Sequence, residues 1–164
     1  MPGEFPLWRY LGDPVVSRRM AVGLRAYFTD SKVDAIAALE SKGYILGSAL
    51  ATRLDLPMVP VRKSSAKAAR MGNDVRSMRA RVPDYSGQYP VWACSPAEVK
   101  GKRLILVDDT VETGSAIFTS IELVRTCGGE PVAVVTLTPF PCSTECHGCS
   151  DLLFLSAVDL LGAP

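Results

Sequence analysis

Four apolar residues followed at once by two carboxylates, Leu104-Ile105-Leu106-Val107-Asp108-Asp109, constrain this chain more than any other stretch. A run this short that ends in acids suits a strand buried on both faces of a parallel sheet. A turn of small residues follows, Thr113-Gly114-Ser115-Ala116, and after it Ile117, Ile121 and Val124 recur at helical spacing. Strand, acid pair, tight turn and helix together outline a site for a phosphorylated sugar. Amides at a helix start bind phosphate because they are unpaired donors at the positive end of the helix dipole. Gly114 lets the backbone approach the anion closely. Asp108 and Asp109 can accept hydrogen bonds from two neighbouring sugar hydroxyls.

The rest of the chain alternates between the same two kinds of element. Asp13-Pro14 is a helix start, an N-cap acid before a proline at the first helical position, and Val16, Met20, Leu24 and Phe28 share one face of the helix behind it. Residues 33–39 read as a strand, and Leu46, Ala49, Leu50 and Leu54 mark a second helix. Residues 58–61 read as a short strand that Pro60 weakens. Gly128-Gly129 ends the helix after the phosphate turn, residues 132–137 form another strand, and residues 152–155 a last one. Strands alternating with helices predict a parallel α/β sheet, with ligands at the carboxyl ends of its strands.

With 164 residues, 48% apolar and 21% charged, one folded domain over 1–164 is expected. A net charge of +1 argues against nucleic acid as a general surface partner, and no apolar run approaches the length of a membrane span. The first residues, Met1-Pro2-Gly3-Glu4-Phe5, lack a basic region followed by an apolar stretch, so a cytoplasmic protein with reduced thiols is expected.

Three further stretches carry chemistry. Glu40-Ser41-Lys42-Gly43-Tyr44 lies between strand and helix, where helix-start amides and Lys42 would hold a second anion; the plain alternative is a connection with a solvated lysine. Residues 63–101 show little apolar periodicity, and Arg62, Lys63, Lys67, Arg70, Arg76, Arg79 and Arg81 crowd the first half. This reads as a long structureless cationic lid over an anionic substrate, or else as a solvated basic loop. Cys142, Cys146 and Cys149 have the C-x3-C-x2-C spacing of a radical iron–sulfur signature, but that chemistry needs a large barrel around it. A zinc site would need Cys94 or His147 as a fourth ligand, and a turn with free thiols is the alternative.

The stretch 104–117 resembles the phosphoribosyl-diphosphate (PRPP) motif of type I phosphoribosyltransferases: four apolar residues, two acids, then Thr-Gly with small or hydroxyl residues. Ala116 stands where that family has Thr, which removes one hydroxyl donor to the 5′-phosphate; Ser115 is a candidate to replace it. Residues 38–47, A-L-E-S-K-G-Y-I-L-G, resemble the pyrophosphate loop of the adenine phosphoribosyltransferase-like, purine-using members. That resemblance implies a non-proline cis peptide between Glu40 and Ser41. It places Glu40, Ser41, Lys42 and Gly43 at the pyrophosphate, with Lys42 lacking the fork of the family's Arg. Arg62-Lys63 matches the Arg-Lys that opens the family's flap, and Lys67 falls one position after its next Lys. Asp84-Tyr85-Ser86 falls near the family's Glu-Tyr-Gly, whose Glu contacts the purine.

The resemblance implies the type I phosphoribosyltransferase (Rossmann-like) fold: a central parallel sheet flanked by helices, a flexible flap and, with few residues before Leu11, a reduced hood. It implies Mg²⁺-dependent transfer of the 5-phosphoribosyl group from PRPP to a nitrogenous base, a purine above all, by a homodimer. Asp108 and Asp109 would hold the ribose and, through PRPP, the Mg²⁺. Glu112, Thr113, Gly114, Ser115 and Ala116 would hold the 5′-phosphate, and Glu112 or Asp84 would serve the base as catalytic carboxylate. Glu112 is favoured because it sits on a rigid turn and Asp84 on the flap. The alternatives are a non-catalytic PRPP-sensing regulator on the same fold and an enzyme for orotate or another base.

Overall fold

The computed structural model describes residues 13–30, 32–63, 74–139 and 151–161. Helix α1 (Pro14–Tyr27) starts where the sequence predicts, with the Asp13 carboxylate accepting from the Val15 amide at 2.7 Å. Strand β1 (Ala35–Leu39) is buried throughout and leads into α2 (Gly43–Leu54). Strand β2 (Met58–Lys63) follows, then β3 (Arg76–Arg79), β4 (Val91–Cys94) and the single turn α3 (Pro96–Val99). The acid-bearing strand is β5 (Arg103–Val107), and α4 (Ser115–Thr126) begins at the small-residue turn. Strands β6 (Glu130–Thr136) and β7 (Leu153–Ser156) and helix α5 (Ala157–Leu161) complete the described chain.

These strands form one sheet in the order β3-β4-β2-β1-β5-β6-β7. The run from β2 to β7 is parallel, as expected from the alternation of strands and helices. Its alternating side chains enter two cores. Leu104 and Leu106 of β5 face the layer closed by α4, and Ile105 and Val107 face the layer closed by α1, α2 and α5. Apolar contact on both faces explains why β5 is a continuous apolar run rather than an alternating one.

Two expectations need correction. The stretch 63–101 is not structureless: its described part holds β3 and β4, paired antiparallel with each other and, through Arg62↔Ala93 and Lys63↔Trp92, with β2. The sheet is therefore mixed at this edge. Pro60 does not weaken β2. Pro57 and Val61 turn their carbonyls to β1, at 2.9 Å from the amides of Ile36 and Glu40. The missing N–H of Pro60 therefore points to the other side, where β4 pairs only from Arg62 onward.

Candidate active site

Loops at the carboxyl ends of β1 and β5 and the connection between β3 and β4 enclose a cleft of about 300 Å³. Asp108 and Asp109 form part of its wall and are only 8% and 7% exposed. Backbone bonds fix both: the Asp108 amide donates to Val135 O at 3.1 Å, and Asp109 O accepts from the Leu137 amide at 2.9 Å. The Asp109 amide donates to Asp108 Oδ1 at 2.9 Å. Burial, with the Asp109 carboxylate alongside, holds the Asp108 pKa well above the usual carboxylate range. Asp109 Oδ2 is buried and accepts no hydrogen bond among the described residues, while the Lys42 ammonium lies 3.5 Å away.

The loop between β1 and α2 supplies the opposite wall. The Glu40–Ser41 peptide is cis, as the resemblance implies. Glu40 Oε2 accepts from the Lys63 amide at 2.9 Å, which joins this loop to the end of β2. Gly43 is the residue that lets the loop abut the acids. A Cβ there would lie 2.8 Å from Val107 O and 3.1 Å from Asp108 Oδ1. Glu40, Ser41, Lys42 and Lys63 line the cleft, whereas Gly43 and Arg62 do not.

The phosphate turn closes the third side. Glu112, Thr113, Gly114, Ser115 and Ala116 all line the cleft. Gly114 has φ +77° as the N-cap of α4, a left-handed conformation, and a Cβ there would run into the Phe118 ring. The Ser115 amide donates to Thr113 Oγ1 at 3.3 Å. The Ser115 hydroxyl donates to Val82 O at 2.6 Å, so it is engaged by the β3–β4 connection.

That connection brings Asp84 to the same cleft. Asp84 opens a tight turn in which the Gly87 amide donates back to Asp84 O at 2.9 Å. Its Oδ1 accepts from Ser86 N, Ser86 Oγ and Gln88 N at 2.9, 2.6 and 3.0 Å. The Ser86 hydroxyl and the Gln88 amide hold its pKa below the usual carboxylate value, so it is an ionised acceptor at neutral pH. The two carboxylates considered for a base, Glu112 and Asp84, thus share one cleft.

Sequence reasoning missed Trp92. It lines the cleft while only 1% exposed, has no hydrogen-bond partner for Nε1 among the described residues, and carries the Lys63 ammonium 5.7 Å above its ring. Its signal was the apolar run Val91-Trp92-Ala93-Cys94 closing the basic segment. Lys67, Cys142, Cys146 and Cys149 lie outside the described residues. Cys94 is buried with its sulfur 3.6 Å from that of Cys127, and burial pushes its thiol pKa up, away from the thiolate a metal needs.

Known proteins carry the same outline. The family model described as the phosphoribosyl transferase domain matches residues 15–147. The chain is 33% identical over 123 residues to the adenine phosphoribosyltransferase of Neisseria meningitidis serogroup C, an alignment covering 74% of this chain and 62% of that protein. It thus spans about six tenths of the length of that curated relative. It is 30% identical over 154 residues to the adenine phosphoribosyltransferase of Beijerinckia indica, covering 94% of this chain and 78% of that one. The crystal structure of adenine phosphoribosyltransferase from Thermoanaerobacter pseudethanolicus superposes with a TM-score of 0.72 at 24% identity, over 93% of this chain and 83% of that one.

Proposed function

The chain belongs to the type I phosphoribosyltransferase family, among its adenine phosphoribosyltransferase-like members, and on that premise we propose that it transfers the 5-phosphoribosyl group of PRPP to a purine base. The products are a nucleoside monophosphate and pyrophosphate. The observation that carries this reading is the convergence on one cleft of a buried acid pair, a small-residue turn at a helix start, the Lys42 loop and two further carboxylates, Asp84 and Glu112.

Each group has a task set by its place. Asp108 and Asp109 accept from the two ribose hydroxyls and fix the sugar. The amides of Gly114, Ser115 and Ala116, with the Thr113 hydroxyl, take the 5′-phosphate. Glu40, Ser41, Lys42 and Lys63 face the departing pyrophosphate, with Arg62 and Lys67 as further cations of that segment. The anomeric carbon loses its bond to the pyrophosphate oxygen and gains one to a ring nitrogen of the base, whose proton passes to a carboxylate, Asp84 or Glu112. Positioning and fixed charge supply most of the rate enhancement.

The donor set fits Mg²⁺ brought in with PRPP. Asp109 Oδ2 is a buried oxygen with no hydrogen bond among the described residues, and hard cations of this kind bind through one or two carboxylates plus substrate phosphates. Bound there, Mg²⁺ would offset charge on the leaving pyrophosphate. The cysteine segment is the candidate for a structural zinc. The family resemblance is the ground for a cytoplasmic homodimer of one domain, 1–164; no helix of the described residues is long and apolar enough to cross a membrane.

The test mixes pure protein with PRPP, Mg²⁺ and a panel of purines and pyrimidines. Nucleoside monophosphate formed from a purine supports the reading. A pyrimidine as the sole acceptor would move the substrate class. PRPP binding without turnover on any base would establish a sensing regulator instead.

A further inference from the structure

The residues that hold Asp84 are fastened to the phosphate turn from the far side of the cleft. Val82 O receives the Ser115 hydroxyl at 2.6 Å, and Ser115 is only 3% exposed. A serine has one O–H to donate and a carbonyl can only accept, so this proton is committed to Val82. Next to Val82, Arg81 Nη1 reaches Glu122 Oε1 of α4 at 3.4 Å, a second and exposed link between the same two parts of the chain. Pro83 follows, with its ring fixing φ near −65°. Asp84 then lies only two residues from the fastened carbonyl, a reach of about 7 Å at most. Its own turn is closed by the Asp84 amide donating to Gln88 O at 2.7 Å and by the three bonds to Oδ1. The second carboxylate oxygen, Oδ2, makes no hydrogen bond among the described residues, and Asp84 lines the cleft.

We propose that Ser115 is a positioning residue for the base: through Val82 O its hydroxyl sets the Asp84 turn, while its amide serves the phosphate. The proposal rests on the transferase reading and deepens it. One residue then ties phosphate recognition to base recognition, because a ligand that orders the phosphate turn also holds Val82, Pro83 and Asp84 in place. It also implies that the Ser115 hydroxyl, engaged with the backbone of another segment, does not replace the one missing at Ala116.

Ser115→Ala keeps the amide and removes the hydroxyl. The KM for the purine should rise about tenfold, the size of one lost hydrogen bond, while the Kd of PRPP by calorimetry stays within about twofold. Amide hydrogen exchange at Ser86, Gly87 and Gln88 should quicken in the same protein. Pro83→Gly leaves the Ser115 bond in place but loosens what lies beyond it, and should raise the same KM with PRPP affinity intact. In Ser115→Ala, adding Asp84→Asn should cost less than Asp84→Asn costs alone. Weakened PRPP binding with an unchanged KM for the base would make the hydroxyl a phosphate donor and overturn the proposal. So would unchanged exchange at the three amides in both variants. A wild-type protein that makes no nucleotide from any base would sink the transferase reading instead, and the exchange rates would still decide the tether.

Discussion

The ammonium of Lys42 stands 3.5 Å from Oδ2 of Asp109, joining the loop after β1 to the acid pair at the end of β5. The pairing is lopsided, since the lysine side chain is 46% exposed and the aspartate 10%. An exposed cation held this way stabilises the fold little. On the proposed reading it is placed to meet a second anion entering between loop and acids. Lys42→Ala should weaken inorganic pyrophosphate by roughly tenfold, the range of one charge-assisted contact, and a nucleoside monophosphate much less. Isothermal titration with the two ligands checks it. Equal losses would remove Lys42 from the pyrophosphate side.

The acid pair makes a pH prediction with a definite sign. The folded pKa of Asp108 is raised, first by burial and then by its neighbour Asp109. The folded state therefore holds that proton more tightly than the unfolded chain does, and this contribution favours folding below the ordinary carboxylate value of about 3.9. It is lost as pH rises from there through the raised folded value. Asp108→Asn keeps the acceptor for the Asp109 amide but never ionises. Its urea midpoint should match wild type near pH 4 and exceed it at pH 8. Asp108→Asn with Asp109→Asn should also weaken PRPP by several kcal/mol, since both ribose hydroxyls exchange a charged acceptor for a neutral amide oxygen. Parallel pH profiles of the two midpoints would mean that Asp108 is not the group responsible.

At Gly43 two terms compete. Alanine is the better helix former by about 1 kcal/mol. Its Cβ, however, would lie 2.8 Å from Val107 O, a backbone atom of the sheet that cannot swing aside. Overpacking of this kind costs about 1–3 kcal/mol, so the clash wins. Gly43→Ala should lower thermal stability and, by pushing Lys42 and Ser41 off the acids, weaken PRPP as well. Thermal unfolding with and without PRPP reads both effects; a stabilised variant would show that the loop has room to move.

How far the sequence foretold this structure depended on how local each cause was. The phosphate turn was legible because its strand, acids, glycine and helix are contiguous, and so was α1 with its Asp13 cap. Strands β3 and β4 were not. Arg76, Ser77 and Arg79 are exposed and only Met78 packs against the core, so β3 has too little buried face to write a pattern, and its pairing with the apolar β4 makes it a strand. The Ser115–Val82 bond joins residues 33 apart, and nothing at either position announces the other. The preference for Glu112 over Asp84 rested on a contrast, rigid turn against loose flap, and the hydrogen bonds that close the Asp84 turn were not legible in the sequence.

The choice between those two carboxylates is the sharpest remaining prediction. Both line the cleft. Glu112 is exposed and stands directly before the phosphate turn. Asp84 is held ionised by its own turn, with Oδ1 occupied and Oδ2 open. An ionised acceptor with one free oxygen suits a base that presents an N–H. Asp84→Asn should therefore raise the KM for the purine and lower kcat together, with an order of magnitude or more lost in kcat/KM. PRPP affinity should hardly change, because no ribose or phosphate contact is touched. Glu112→Gln should act more weakly and mainly on kcat. Full activity in Asp84→Asn with a large loss in Glu112→Gln would transfer the base contact to the phosphate turn, and with it the proton that leaves the base.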